Sequence, residues 1–157
     1  MDNVIIINEL NHPTKSDLQA DDLGMLEPFF GIHLSVVALL LRFAIGSLYL
    51  YHGYPKLGTA RKGTADWLKS IGFPGSLATL AGVVEFFGGI ALILGLLTSI
   101  VAALSAIWMI ATTWLSMTKI KKKYAGGYEL DITLLLVSLA LAAVGGGGFS
   151  LDYLLRI

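Results

Sequence analysis

The chain has 157 residues, 55% of them hydrophobic and only 14% charged, with 11 basic residues balancing 11 acidic ones. A soluble domain carries about 25% charged residues, so this composition, with a mean hydropathy of +0.75, belongs to a membrane protein. The neutral balance gives no whole-chain attraction to nucleic acid, and the absence of cysteine excludes disulfides, thiolate or persulfide intermediates and cysteine-ligated zinc or iron–sulfur centres.

Residues 1–32 form an acidic extension, with Asp2, Glu9, Asp17, Asp21, Asp22 and Glu27 around a short apolar run, "VIIINEL". This reads as a solvated arm or as a docking arm for a partner. It lacks the basic-then-apolar order of a cleavable signal peptide, so the first span is expected to be its own insertion signal.

From residue 33 onward the pattern changes to that of a membrane domain, 33–157. A helix crossing the hydrocarbon needs about 20 mostly apolar residues, and four segments qualify: 33–53, 76–96, 98–118 and 129–146. The second and third are split at Gly95–Thr98, where glycine ends one helix and Thr98 or Ser99 is expected to cap the next. Gly145–Gly148 ends the fourth. Between spans one and two, "TADWLKSIG" (64–72) puts Trp67, Leu68 and Ile71 on one helical side, with Thr64 as its cap, which reads as an interfacial helix. The closing "FSLDYLLRI" reads as another short helix capped at Ser150. The fold class expected is therefore all-α: a polytopic membrane protein, a four-transmembrane-helix bundle with a short interfacial helix between spans one and two.

Basic residues set the orientation. Lys56, Arg61, Lys62 and Lys69 follow span one, and Lys119, Lys121, Lys122 and Lys123 follow span three. Basic loops stay cytoplasmic, so both chain ends are expected outside, in a multi-pass protein of the cell membrane.

Two charges interrupt the apolar runs: Arg42 in "LLLRFAIG" and Glu85 in "GVVEFFGG". A bare charge at mid-bilayer is unfavourable by at least about 2.5–3.5 kcal/mol, so each requires a partner. With the middles of the two antiparallel spans aligned, their axial offset is roughly 5–8 Å, which predicts an Arg42–Glu85 pair. Arg42, Gly46, Tyr49 and Gly53 share one helical face, as do Gly82, Glu85 and Gly89, and small residues let backbones approach. Three roles stay open for Glu85: a register lock, half of a pair bordering a functional cavity, or a protonated carrier.

More polar residues gather toward the basic end. Tyr49, His52 and Lys56 follow one another at helical spacing, Glu129 and Asp131 open span four, and Ser105, Trp108, Thr112 and Ser116 form a stripe down span three. Individually these fit interfacial belts, snorkelling lysines and helix caps; together they describe a cavity. His33 and His52 lie about 28 Å apart on one helix and cannot share a haem iron. No metal motif is present.

The order "LRFAIG", "HGYPKL", "GFP", "VVEFFGGIALILGLLT", "GGYELD" and "GGGGFSLD" resembles the DoxX/DoxD family of four-helix membrane proteins, from about Leu39 to the end. Arg42, Gly53, Lys56, Glu85, Gly88, Gly89 and Glu129 fit that family's pattern. Ser99 replaces an arginine that many relatives carry, and the third span lacks a histidine found in many of them. The resemblance implies membrane redox chemistry, since DoxD relatives form the membrane subunit of thiosulfate:quinone oxidoreductase and associate with a quinol oxidase. For a quinone headgroup, Tyr49, His52 and Lys56 are the expected donors and Glu129 or Glu85 the proton relay, beside the buried Arg42–Glu85 pair. Without flavin, haem or thiol the chain is expected to hold no intrinsic cofactor and to take electrons from partner subunits. A non-catalytic scaffold subunit is the competing expectation. A small-solute carrier is a third, which the absence of an inverted repeat disfavours.

Overall fold

The computed structural model describes the backbone of residues 15–157 and the side chains from residue 32 onward. "VIIINEL" and the acidic side chains up to Glu27 lie outside the described residues. The chain divides into two units, Met1–His33 and Leu34–Ile157; α1 begins in the first, and the packing and site described below belong to the second.

Among the described residues six helices follow one another: α1 (Lys15–Leu57), α2 (Arg61–Ser70), α3 (Leu77–Leu94), α4 (Thr98–Thr118), α5 (Glu129–Val144) and α6 (Leu151–Leu155), with a bent turn at Tyr124–Tyr128 before α5. No strand occurs among the described residues. Among the described residues four stretches, Ile32–Leu57, Leu77–Leu94, Thr98–Thr118 and Tyr124–Val144, are long and apolar enough to span a bilayer. The protein is an all-α, multi-pass membrane bundle. Leu40, Phe43, Phe87, Ile107 and Leu136 point outward, as lipid-facing side chains do, because acyl chains solvate them as well as a protein core would.

The third span matches its expected limits; the second starts one residue later and ends two earlier than expected, and the fourth ends two residues earlier, its apolar stretch starting at Tyr124 ahead of α5. The first runs on to Leu57, since Gly53 sits inside the helix. The short helix α2 starts at Arg61, so Thr64 lies within it, and Ala60 precedes it with no side-chain cap.

Glycines set the spacing of α1 and α3. A Cβ on Gly46 would lie 2.9 Å from the Gly89 carbonyl oxygen, and one on Gly89 2.8 Å from that of Gly46. A Cβ on Gly53 would meet the Phe86 amide nitrogen at 2.5 Å. These are backbone-to-backbone contacts that no side-chain rotation relieves. Gly88, beside Gly89, faces only the Tyr49 ring, at 3.7 Å or more. Gly89→Ala is therefore expected to destabilise the detergent-solubilised protein by about 1–3 kcal/mol through overpacking. Gly88→Ala is expected to be neutral or stabilising by up to about 1 kcal/mol through helix propensity. Thermal unfolding of the two variants side by side checks this, and equal behaviour would contradict the close crossing.

The α3–α4 turn is closed by hydrogen bonds from Leu96 N to Ala91 O (2.9 Å) and Gly95 N to Leu92 O (3.1 Å), with Gly95 at φ 72°. This is the Schellman pattern, in which a left-handed glycine satisfies the last carbonyls. Leu97 also adopts a left-handed φ of 49°, a conformation that disfavours a Cβ by roughly 1–2 kcal/mol. Asp152 of α6 holds it there. One carboxylate oxygen accepts from Leu97 N at 2.6 Å and the other from Thr98 N at 2.8 Å. Neither Thr98 nor Ser99 caps α4, contrary to expectation. Thr98 is already helical, and its buried hydroxyl has no hydrogen-bond partner. A full negative charge at the positive end of the α4 dipole does the work instead. At the C-terminus, Ser150 does cap α6, accepting from Tyr153 N at 3.1 Å.

Candidate functional site: a cavity on the α2 side of the bundle

Arg42 and Glu85 do not meet. Read from the Gly46–Gly89 and Gly53–Glu85 contacts, the register places them about 13 Å apart along the helix axes, out of reach of a guanidinium. Arg42, 1% exposed, lies opposite the end of α3. Its Nε donates to Leu92 O at 2.9 Å and its Nη2 to Ile93 O at 2.6 Å, while Nη1 donates to Gly146 O at 3.0 Å and Phe149 O at 2.9 Å. One side chain thus ties α1 to the negative end of the α3 dipole and to the glycine-rich segment after α5. Gly95 leaves the necessary room, since a Cβ there would lie 2.6 Å from Arg42 Cζ. The expected Arg42–Glu85 pair does not form, and Arg42 instead fastens α1 to the end of α3 and to the segment after α5.

The partner of Glu85 is Lys56. Its Nζ lies 2.6 Å from both carboxylate oxygens, and the side chains are 25% and 7% exposed respectively. Lys56 reaches inward because α1 continues as helix past Gly53, bringing Tyr49, His52 and Lys56 onto one face.

That face opens on a cavity of about 510 Å³, within the roughly 300–1,000 Å³ of small-molecule sites. Tyr49, His52, Lys56 and Glu85 line it from α1 and α3; Thr112, Ser116 and Asp131 line it from α4 and α5; α2 contributes Trp67 and Leu68. All three tryptophans of the chain, Trp67, Trp108 and Trp114, border it. Its inner end is fixed by hydroxyls. Tyr49 Oη and Ser105 Oγ share a hydrogen bond of 2.5 Å, and Ser105 Oγ and Ser138 Oγ one of 2.9 Å. Near the outer end Ser116 donates to Asp131 at 3.1 Å. Thr64 and Lys122 add two further polar side chains, and the remaining walls are mostly apolar, with Leu77, Met109, Leu115 and Leu134 among them.

Of the residues expected at this site, Tyr49, His52, Lys56 and Glu85 converge. Glu129 does not line the cavity. Its carboxylate turns back to accept from Gly126 N at 2.9 Å, an acid satisfying a free amide at a helix start. Asp131, two residues on, takes the cavity wall in its place. Trp67 and Trp114 join the site unanticipated: the first was legible as one side of an amphipathic helix, the second carried no signal. Among the described residues no group of three histidine or carboxylate side chains is placed to hold a metal ion.

The family model described as DoxX matches residues 37–117, just over half of the chain. The chain belongs to the DoxX family. Arg42, Tyr49, His52, Lys56 and Glu85 all fall inside the matched DoxX region, whereas Asp131 and Asp152 lie beyond it. A Bacillus subtilis (strain 168) protein named "Putative oxidoreductase CatD" is 35% identical over 114 residues, covering 73% of this chain and 83% of the relative. "Inner membrane protein YqjF" of Escherichia coli (strain K12) is 30% identical over 126 residues, covering 77% and 93%. No solved structure matches the chain significantly.

Proposed function

We propose that this DoxX-family protein is the membrane subunit of a quinone-linked redox assembly, with the α2-side cavity receiving the quinone headgroup. The observation that carries the reading is the Lys56–Glu85 ion pair set into the wall of a largely apolar, aromatic-bordered cavity of about 510 Å³ that also holds His52, Asp131 and Lys122. A quinone is a flat apolar ring with two carbonyl acceptors. Apolar walls with a few convergent polar groups suit such a ligand. Lys56 and His52 offer donors, Tyr49 a hydroxyl already oriented by Ser105, and Glu85 a carboxylate able to hold or release a proton beside the ligand. When bound, the quinone supplies the two-electron, two-proton couple; the chain supplies position and proton-handling groups, and a partner subunit supplies electrons. The name of the Bacillus relative, an oxidoreductase, agrees in class. In this reading the basic loops face the cytoplasm and both chain ends face outward.

The tryptophans provide the test. Titrating the purified protein with a short-chain quinone is expected to quench its fluorescence saturably, and Lys56→Ala is expected to weaken that binding about tenfold or more, the loss of one charged hydrogen bond. Non-saturable quenching, the same in wild type and variant, would refute the site. Mild-detergent purification followed by identification of co-purifying subunits tests the assembly, and a lone homo-oligomer without extractable quinone would count against it.

A further inference from the structure

The two ends of the bundle are built oppositely, and a layer between them explains how. Ile45 of α1, Leu92 of α3, Ala102 of α4 and Leu141 of α5 each have no exposed surface and pack in one cluster. Each spanning helix contributes one residue. On one side of this layer lie the Tyr49–Ser105–Ser138 hydroxyls and then the cavity. On the other side Arg42 donates to the end of α3 and to the glycine segment after α5, and Asp152 accepts from the backbone at the start of α4. None of the four layer residues lines the cavity.

We propose that the cavity is a one-sided compartment, exchanging water-soluble solutes and protons only with the membrane face that carries Lys119–Lys123, and that the four-residue layer is its seal. Charged and hydrated species do not cross a close-packed apolar section. Ser138, the innermost hydroxyl, is followed toward the far face by the side chain of Leu141, so the hydrogen-bonded chain stops at the layer. Glu85 and His52 therefore exchange protons with the lysine-bearing face alone. This goes beyond the quinone reading without depending on it, because it concerns access to the cavity and holds for any occupant.

The absence of native cysteine gives a direct experiment. Single variants Thr112→Cys in the cavity wall, Lys123→Cys on the basic loop and Tyr153→Cys on α6 are placed in sealed vesicles of uniform orientation. A membrane-impermeant charged thiol reagent is added to one face at a time. Lys123→Cys and Tyr153→Cys identify the two faces whichever way the chain is inserted, and their modification also shows that it is inserted. Thr112→Cys is expected to be modified only from the face that modifies Lys123→Cys, with modification lost from the other. Modification of Thr112→Cys from the Tyr153→Cys face would overturn the seal, and modification from neither face would overturn the opening. No quinone is required for the readout, so its outcome is separate from that of the fluorescence titration.

Discussion

Arg42→Lys is expected to destabilise the protein nearly as much as Arg42→Met, by on the order of 3 kcal/mol, although it keeps the charge. The reason is geometric. The guanidinium spends four N–H donors on four carbonyls contributed by α3 and by the segment after α5. Hydrogen bonds to a charged group contribute about 1.5–3 kcal/mol each in favourable cases, but they share one side chain and do not add. Lysine carries three donors on a single nitrogen and cannot span the same fork. It would leave carbonyls unsatisfied in a fully buried position and bring an ammonium to a site shaped for a plane. The loss appears as lower accumulation in the membrane and a lower unfolding temperature in detergent. Because the fastener lies on the far side of the apolar layer, quinone affinity of the surviving folded fraction is expected to be unchanged. Wild-type stability of Arg42→Lys would show that charge alone suffices there.

What the sequence made legible follows from how local each signal was. Hydropathy placed the four crossings, because bilayer thickness fixes their length. Gly95 and Ser150 announced their turns through conformational and capping chemistry confined to a few residues. The glycines of α1 and α3 were readable as a close-packing face, and the contacts at Gly46, Gly53 and Gly89 agree. Pairing across helices was a different matter. Aligning the middles of two spans assumed that α1 ended near Gly53. The helix runs four residues further, to Leu57, so Lys56 is brought level with Glu85 and Arg42 is carried to the end of α3. A shift of register of that size exchanges every long-range partner while leaving every helical face intact. Asp152 was hidden for a related reason. Its role as a cap for α4 depends on the glycine run folding the C-terminus back over the α3–α4 turn, and that return is set by contacts such as Gly148 N to Ser35 Oγ (2.9 Å), not by local sequence. Glu129 shows the converse, since a nearby amide at Gly126 outcompeted the cavity for its carboxylate.

The Lys56–Glu85 pair separates a structural role from a functional one through three variants. Glu85→Gln leaves a partly exposed ammonium, and Lys56→Met leaves a carboxylate whose side chain is only 7% exposed without its cation. Removing one partner of a buried pair destabilises by about 3–5 kcal/mol, and less where one partner reaches water, so Lys56→Met is expected to be the more harmful. Both should harm accumulation more than Asp66→Asn, which disturbs only an exposed 3.5 Å contact with Lys69. The double variant Lys56→Met with Glu85→Leu removes both charges and fills the space with apolar groups. Such replacements are often neutral or stabilising, so its unfolding temperature is expected to return to near the wild-type value. A coupling free energy of about 1–3 kcal/mol should therefore emerge for Lys56 with Glu85, against less than about 0.5 kcal/mol for Arg42 with Glu85, which share no contact. Sizeable coupling of Arg42 to Glu85 would mean that the register is wrong. The double variant also decides what the charges are for. If stability returns while saturable quinone quenching is lost, the pair serves the ligand. If both return, the two charges are dispensable to binding, and recognition falls to the rest of the lining: His52, Tyr49, Asp131, the hydroxyls of Thr112 and Ser116, and the aromatic walls.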